Sequence, residues 1–105
     1  MQVVDDSSFR KEVLESKLPV LVDFYAEWCP PCKVYGPAFE RAAAKTGGKI
    51  KFVKLDVDKA PDVARECGVM SIPTTILFKE GKQAASFVGA MGDSELEKWL
   101  GNNVR

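Results

Sequence analysis

Pro19-Val-Leu-Val-Asp-Phe-Tyr-Ala-Glu-Trp-Cys-Pro-Pro-Cys32 decides how this chain is read. Residues 19–26 are almost continuously apolar and β-branched or aromatic, the signature of a strand covered on both faces in a parallel or mixed sheet. That places the strand centrally. Directly beyond it Cys29 and Cys32 stand three residues apart, and apolar residues at helical spacing follow. A strand, a close cysteine pair and a helix in that order form a redox setting.

A thiolate attacks a substrate disulfide to make a mixed disulfide, and a second thiol must then reach that bond to release the reduced substrate. With Cys29 at a helix N-terminus, unpaired backbone N–H groups and the helix dipole favour its thiolate. Cys32 lies one turn on, where positions i and i+3 are neighbours. Cys29 is therefore expected to be the exposed nucleophile, and Cys32, pointing into the first turn, the resolving thiol. The competing readings are two ordinary cysteines and half of a tetrahedral zinc site. Structural zinc usually takes four Cys or His ligands, whereas this chain has three cysteines and no histidine. A carboxylate could complete a site with Cys67, but no second half-site pattern accompanies it. Neither a metal nor a cofactor is expected, and Cys67 reads as a packed, inert cysteine.

Outward from the cysteines the chain alternates strands and helices. The sequence predicts a strand at Gln2–Val4 and a helix capped by Ser7 or Ser8, with Phe9, Val13 and Leu14 as its apolar stripe. A second helix, with Val34, Pro37, Phe39, Ala42 and Ala43 as its apolar positions, runs to Gly47-Gly48 with a kink at Pro37. Residues 50–57 read as a strand, and Pro61 opens a helix that Gly68 ends. Residues 74–78 and 83–88 form a hairpin around a Gly-containing turn at 79–82. Asp93 or Ser94 caps a last helix with Leu96, Trp99 and Leu100 on one side. The order βαβαβαββα calls for a mixed sheet with helices on both faces, and a length of 105 residues suits a single domain, 1–105.

With 15 basic and 15 acidic side chains the formal net charge is zero, so no broad field draws the chain to nucleic acid or an anionic membrane. The N-terminus lacks the basic flank and apolar run of a secretory signal, and no apolar stretch approaches the ~20 residues of a membrane span. A cytoplasmic location is expected.

Four segments carry a resemblance. Val22-Asp-Phe-Tyr-Ala-Glu-Trp-Cys-Pro-Pro-Cys-Lys33, Lys54-Leu-Asp-Val-Asp58, Ile72-Pro-Thr74 and Val88-Gly-Ala90 together resemble the thioredoxin family over nearly the whole chain. The resemblance implies an α/β thioredoxin fold, a central five-stranded mixed sheet flanked by four helices, with the cysteines at the end of the second strand. It implies a monomeric protein-disulfide reductase and electron carrier whose partners are a thioredoxin reductase and disulfide-bearing proteins. It also implies substrate contact at Trp28, Ile72, Pro73 and Gly89, with Pro73 as the family's cis proline facing the cysteines. Pro31 matches the family; Pro30 departs from it, because glycine most often stands there. Proline at that position withdraws an N–H that could serve the Cys29 thiolate, and it stiffens the turn. Cys-Pro-Pro-Cys also occurs in thioredoxin-like proteins devoted to other thiol exchanges, so the motif leaves the substrate open.

Asp23 interrupts the central strand, where a lone carboxylate is costly unless it is partnered or protonated. By alternation it shares a face with Leu21 and Tyr25. The resemblance makes it the buried acid that exchanges protons with Cys32, with Lys54 brought towards it. The plainer alternatives are a hydrogen-bonded Asp23 and a Lys54 whose stem packs while its ammonium reaches water. Trp28 reads as both packing over the cysteines and meeting substrate, Trp99 as core, and Asp58 as a neighbour of Trp28. Two other functions remain: an oxidase or isomerase, if Pro30 makes the disulfide strongly oxidising, and a binding subunit with incidental cysteines. Redox equilibration against glutathione separates the first, and a double serine variant the second.

Overall fold

The computed structural model describes residues 1–104. Val20-Leu-Val-Asp-Phe-Tyr25 forms the middle strand, β2, and every residue but Tyr25 is buried. The other strands are β1 (Gln2–Val4), β3 (Lys51–Asp56), β4 (Thr74–Lys79) and β5 (Lys82–Val88). They form one sheet in the order β1-β3-β2-β4-β5. β1 and β2 run parallel to β3, whereas β4 is antiparallel to both β2 and β5. The mixed sheet expected from the element order is what forms.

Period-two alternation sends β2 to two cores. Val20, Val22 and Phe24 join Val4, Val53, Leu55, Ile76 and Phe78 on the face covered by a short helical segment, Arg10–Leu14, and by α2 (Pro61–Glu66). Leu21 joins Phe52 and Leu77 on the opposite face, under Tyr35 and Phe39 of α1 (Pro30–Lys45) and Leu96 and Leu100 of α3 (Asp93–Asn103). Each such fully buried side chain contributes about 1.5–3 kcal/mol of apolar transfer. Trp99 packs its ring against Phe87 at 4.9 Å, a core role as its sequence position suggested.

Three local readings are corrected. Neither Ser7 nor Ser8 caps the first helical segment, whose N-cap is Phe9 without a side-chain bond; Asp5 Oδ1 accepts from the N–H groups of Ser7 (2.9 Å) and Ser8 (3.1 Å) in the turn that leads into it. That segment is wound as a π-helix, with Glu15 N–H donating to Arg10 O five residues back. The apolar stripe of α1 is Tyr35, Phe39 and Ala42, while Val34 is 73% exposed and Pro37 faces solvent. Cys32 must face inward to meet Cys29, and residues three and seven beyond it on a helix share its face. At the last helix Gly92 is the N-cap and Glu95 Oε1 accepts from its N–H at 3.4 Å. Asp93 instead lies in the first turn and takes Arg41 Nε at 3.0 Å.

The β4–β5 turn narrows to two residues, Glu80 and Gly81, with φ of 52° and 79°. Both central residues left-handed is the arrangement of a type I′ hairpin. A Cβ on Gly81 would also sit 2.9 Å from Leu14 O. Gly81→Ala is expected to cost about 1–3 kcal/mol of folding free energy, combining φ strain with that clash. Gly101→Ala, in a helix with open space around it, is expected to gain about 0.5–1 kcal/mol. Urea denaturation of the two variants checks the contrast.

Candidate active site

The carboxyl end of β2 feeds, through a short turn, straight into the first turn of α1. Cys29 is the N-cap of α1, in extended backbone (φ −92°, ψ 107°). A helix start leaves four backbone donors without intrahelical partners, and here each is accounted for. Cys29 N–H donates to Ala26 O at 3.3 Å, Pro30 and Pro31 have no N–H, and Cys32 N–H donates to Cys29 Sγ at 3.3 Å. The sulfur thus takes the place that a serine or aspartate oxygen takes in an ordinary cap. The missing N–H of Pro30 belongs to the first helical position, whereas N-cap side chains are served from the second and third. Pro30 therefore acts on the site through its fixed φ, and the donor that reaches Cys29 comes from Cys32.

Cys29 and Cys32 are paired as a disulfide with their Cα atoms 5.2 Å apart. The expected difference in exposure is corrected: both are buried, at 3% and 5% exposure, because Ala26, Tyr25, Val57 and Ile72 pack around them. What separates them is the space each one lines. Cys29 lines an apolar groove of about 480 Å³ shared with Trp28, Pro30, Pro31, Met70 and Ile72. Cys32 lines a second, polar cavity with Lys33, Glu40 and Lys54. Ile72 O lies 3.9 Å from Cys29 Sγ, beside the groove.

Trp28 is 67% exposed yet anchored, its Nε1–H donating to Asp58 Oδ2 at 2.7 Å. Asp58 is itself fixed by its N–H donating to buried Asp56 Oδ1 at 2.9 Å. Asp58 thereby holds the indole rim of the groove. Pro73 is buried, follows a cis peptide bond from Ile72, and accepts Gly89 N–H at 2.8 Å. Neither Pro73 nor Gly89 lines the apolar groove; they join β4 to the end of β5 next to Ile72. Gly89 has φ of 103°, with nothing within 4 Å of a Cβ placed there, so backbone conformation rather than crowding favours glycine.

Asp23, in the same strand that leads to the cysteines, is fully buried, with neither carboxylate oxygen hydrogen-bonded. Burial drives its pKa up from 3.8, the charge of Lys54 pulls it part of the way back and Glu40 pushes it slightly further up; the balance is about 7. Lys54 is the register neighbour of Asp23 across the β2–β3 pair, but its ammonium stands over the ring of Tyr25, 4.5 Å from the centroid. Among the described residues the two make no direct ion pair. Cys67 is half-buried against the first core, and burial together with Glu66 pushes its thiol up to about 11, which suits an inert thiol at neutral pH.

Two groups escaped the sequence reading. Tyr35 Oη and Thr75 Oγ1 share a buried hydrogen bond of 2.8 Å, and Met70, 96% exposed, stands at the rim of the apolar groove. Tyr35 was recoverable as the residue one helical turn beyond Cys32; nothing local marked Met70. Among the described residues no group of three or more Cys, Asp or Glu is placed to hold a metal ion, and no helix is long and apolar enough to cross a membrane.

Comparison with known proteins agrees with this arrangement. The family model Thioredoxin matches residues 1–102. The chain is 46% identical over 101 residues to the thioredoxin of Rickettsia felis, covering 96% of each chain. It is 45% identical over 97 residues to thioredoxin 1 of a Nostoc species, covering 92% of this chain and 91% of that one. It is also 44% identical over 104 residues to the chloroplastic M-type thioredoxin of spinach, covering 95% of this chain and 58% of that one.

The Asp23 carboxyl has a consequence for stability. Held at about 7 in the folded chain against 3.8 when free, it keeps a proton that the unfolded chain releases between those values. Its stabilising contribution is full below pH ~4, falls as pH rises through about 7, and is flat beyond. Asp23→Asn removes that fall. The variant is expected to match the parent near pH 4 and to exceed it at pH 8 by an amount on the order of a few kcal/mol. Denaturant unfolding of both proteins at the two pH values measures it.

Proposed function

The chain belongs to the thioredoxin family and is a thiol–disulfide oxidoreductase working through Cys29 and Cys32; within that activity we propose that Cys29 is the nucleophile, Cys32 the resolving thiol and Asp23 the proton acceptor. One observation carries the assignment: Cys29 lines the apolar groove, whereas Cys32 lines the polar cavity on the other side of the pair. A substrate disulfide seated in the groove meets Cys29 first.

In the forward direction the Cys29 thiolate, held by the Cys32 N–H and the helix N-terminus, attacks one sulfur of the substrate disulfide. A Cys29–substrate bond forms and the other substrate sulfur leaves as a thiolate, which takes a proton from water. Cys32 then gives its proton to the Asp23 carboxylate and attacks Cys29 Sγ. The second substrate sulfur leaves, and the two electrons of the dithiol have passed to the substrate. A pKa of about 7 suits a group that must accept a proton and return it near neutral pH. Trp28 and Ile72 line the groove beside Cys29 and serve as substrate contacts, Pro73 and Gly89 adjoin Ile72 behind its edge and complete the contact surface through their backbone, Pro30 and Pro31 keep the turn rigid, and Lys54 tempers Asp23.

The chain works as a single domain and a monomer in the cytoplasm. It needs no bound cofactor, takes its electrons from a thioredoxin reductase and passes them to disulfide-bearing proteins. Its balanced charge, with 15 basic and 15 acidic side chains, leaves recognition to shape and apolar contact, and nucleic acid and membranes are not partners.

Cys32→Ser is expected to trap a mixed disulfide with a protein substrate and Cys29→Ser to trap none; peptide mass mapping of the adduct checks this, and attachment through Cys32 would reverse the roles. Asp23→Asn is expected to slow resolution of the mixed disulfide by roughly tenfold to a hundredfold. That is below the usual contribution of a general base, because a thiol already ionises by a few per cent at neutral pH. Mixed-disulfide formation should be unchanged, and rapid-quench separation of the two steps decides between a proton-transfer role and a structural one.

A further inference from the structure

Thr75 of β4 lies directly opposite Asp23 of β2 in the antiparallel pair, just as Leu77 lies opposite Leu21. Leu21, Leu77 and Tyr35 belong to the same core, so Asp23, Thr75 and Tyr35 occupy one face of the sheet. All three are fully buried. Directly opposed residues have Cβ atoms about 4.5–5.5 Å apart. An apolar core beneath α1 therefore holds a carboxyl group and two hydroxyls where packing alone would favour aliphatic side chains.

Hydrogen accounting narrows what the hydroxyls do. Tyrosine and threonine each carry one O–H, and the pair shares a single bond of 2.8 Å, so one proton is left over. If Tyr35 donates to Thr75, the spare proton is on Thr75. The residue opposite it in the strand pair is Asp23, whose carboxyl oxygens have no partner. A neutral carboxyl tolerates that isolation far better than a carboxylate does. The charged and titratable groups that act on Asp23 are Lys54 from β3, Glu40 and Tyr35 from α1, and Tyr25 in β2 itself. Lys54 alone among them favours the charged form, and it stands over Tyr25 rather than on Asp23.

We propose that Tyr35 and Thr75 are positioning residues for Asp23: Tyr35 donates to Thr75, and the Thr75 hydroxyl so oriented donates to the Asp23 carboxylate whenever Asp23 is ionised and ready to take the Cys32 proton. The bond forms when Asp23 ionises and the two opposed side chains reorient towards each other, and it is released when the proton arrives. This rests on the reading of Asp23 as the proton acceptor.

Thr75→Val removes the hydroxyl that donates to Asp23 and Tyr35→Phe the one that orients it, each keeping the shape, and Thr75→Ser keeps the hydroxyl. Carboxyl-carbon NMR titration of Asp23 in the oxidised protein is expected to show its pKa raised by about one unit in the first two variants and restored in the third. The pH midpoint for mixed-disulfide resolution should rise with it. A merely structural bond between α1 and β4 would lower the unfolding midpoint and leave the titration where it is; an unmoved Asp23 titration in both Tyr35→Phe and Thr75→Val overturns the proposal. A moved titration with an unmoved kinetic midpoint would support the hydroxyl pair while refuting Asp23 as the proton acceptor.

Discussion

β2 is hydrogen-bonded on both edges, to β3 and to β4, and covered on both faces. Everything chemical in this molecule is placed relative to its carboxyl end. A strand so enclosed has no freedom to slip, since a one-residue shift would exchange its two apolar faces and carry Asp23 into the other core. Its end is therefore a fixed point. From it the turn through Ala26 delivers Cys29 to the start of α1, and β4, running beside β2 the other way, brings the segment before Thr74 back to the same end. The cysteine pair, Ile72 and Pro73 meet there because two neighbouring strands of opposite direction share one end of the sheet.

The same enclosure makes the carboxylate problem acute. Desolvation of Asp23 outweighs the attraction of Lys54, and the carboxyl comes to rest near 7. Had the ammonium bonded directly to the carboxylate, the pair would have held Asp23 ionised across the physiological range, and the carboxylate would have become a poor base. With Lys54 over the Tyr25 ring, the lysine moderates the shift without cancelling it. A buried carboxyl held near 7 costs stability at neutral pH. The cysteines show a parallel economy: two prolines remove the backbone donors at the first two helical positions, and the third serves the sulfur.

Much of this was legible in the residues. The apolar run of β2, the helical stripe of α3 and the hairpin of β4 and β5 are local patterns, and the spacing of Cys29 and Cys32 is chemistry written into four residues. In α1 the stripe was right at Phe39, Ala42 and Ala43 and wrong in its first turns: Val34 looks apolar at the right interval, yet the face of Cys32, which must meet Cys29, carries Tyr35 instead. The helix starts at Phe9 and Gly92 were missed because several residues able to cap stand just beside each one, and backbone geometry rather than side-chain type selects among them.

Local sequence by itself determined the order of strands and helices, the enclosed character of β2 and the presence of a thiol pair at a strand–helix junction, because these depend on periodicity, turn chemistry and spacing within a few residues. Only the tertiary structure decided that both cysteines are buried and open onto different cavities, that Lys54 stands off from Asp23, that Asp58 anchors Trp28 across 30 residues, and that Tyr35 and Thr75 meet across 40. Those are pairings between elements distant in the chain. Desolvation and hydrogen bonding depend on what surrounds a group in space, and strand order and helix rotation set those surroundings.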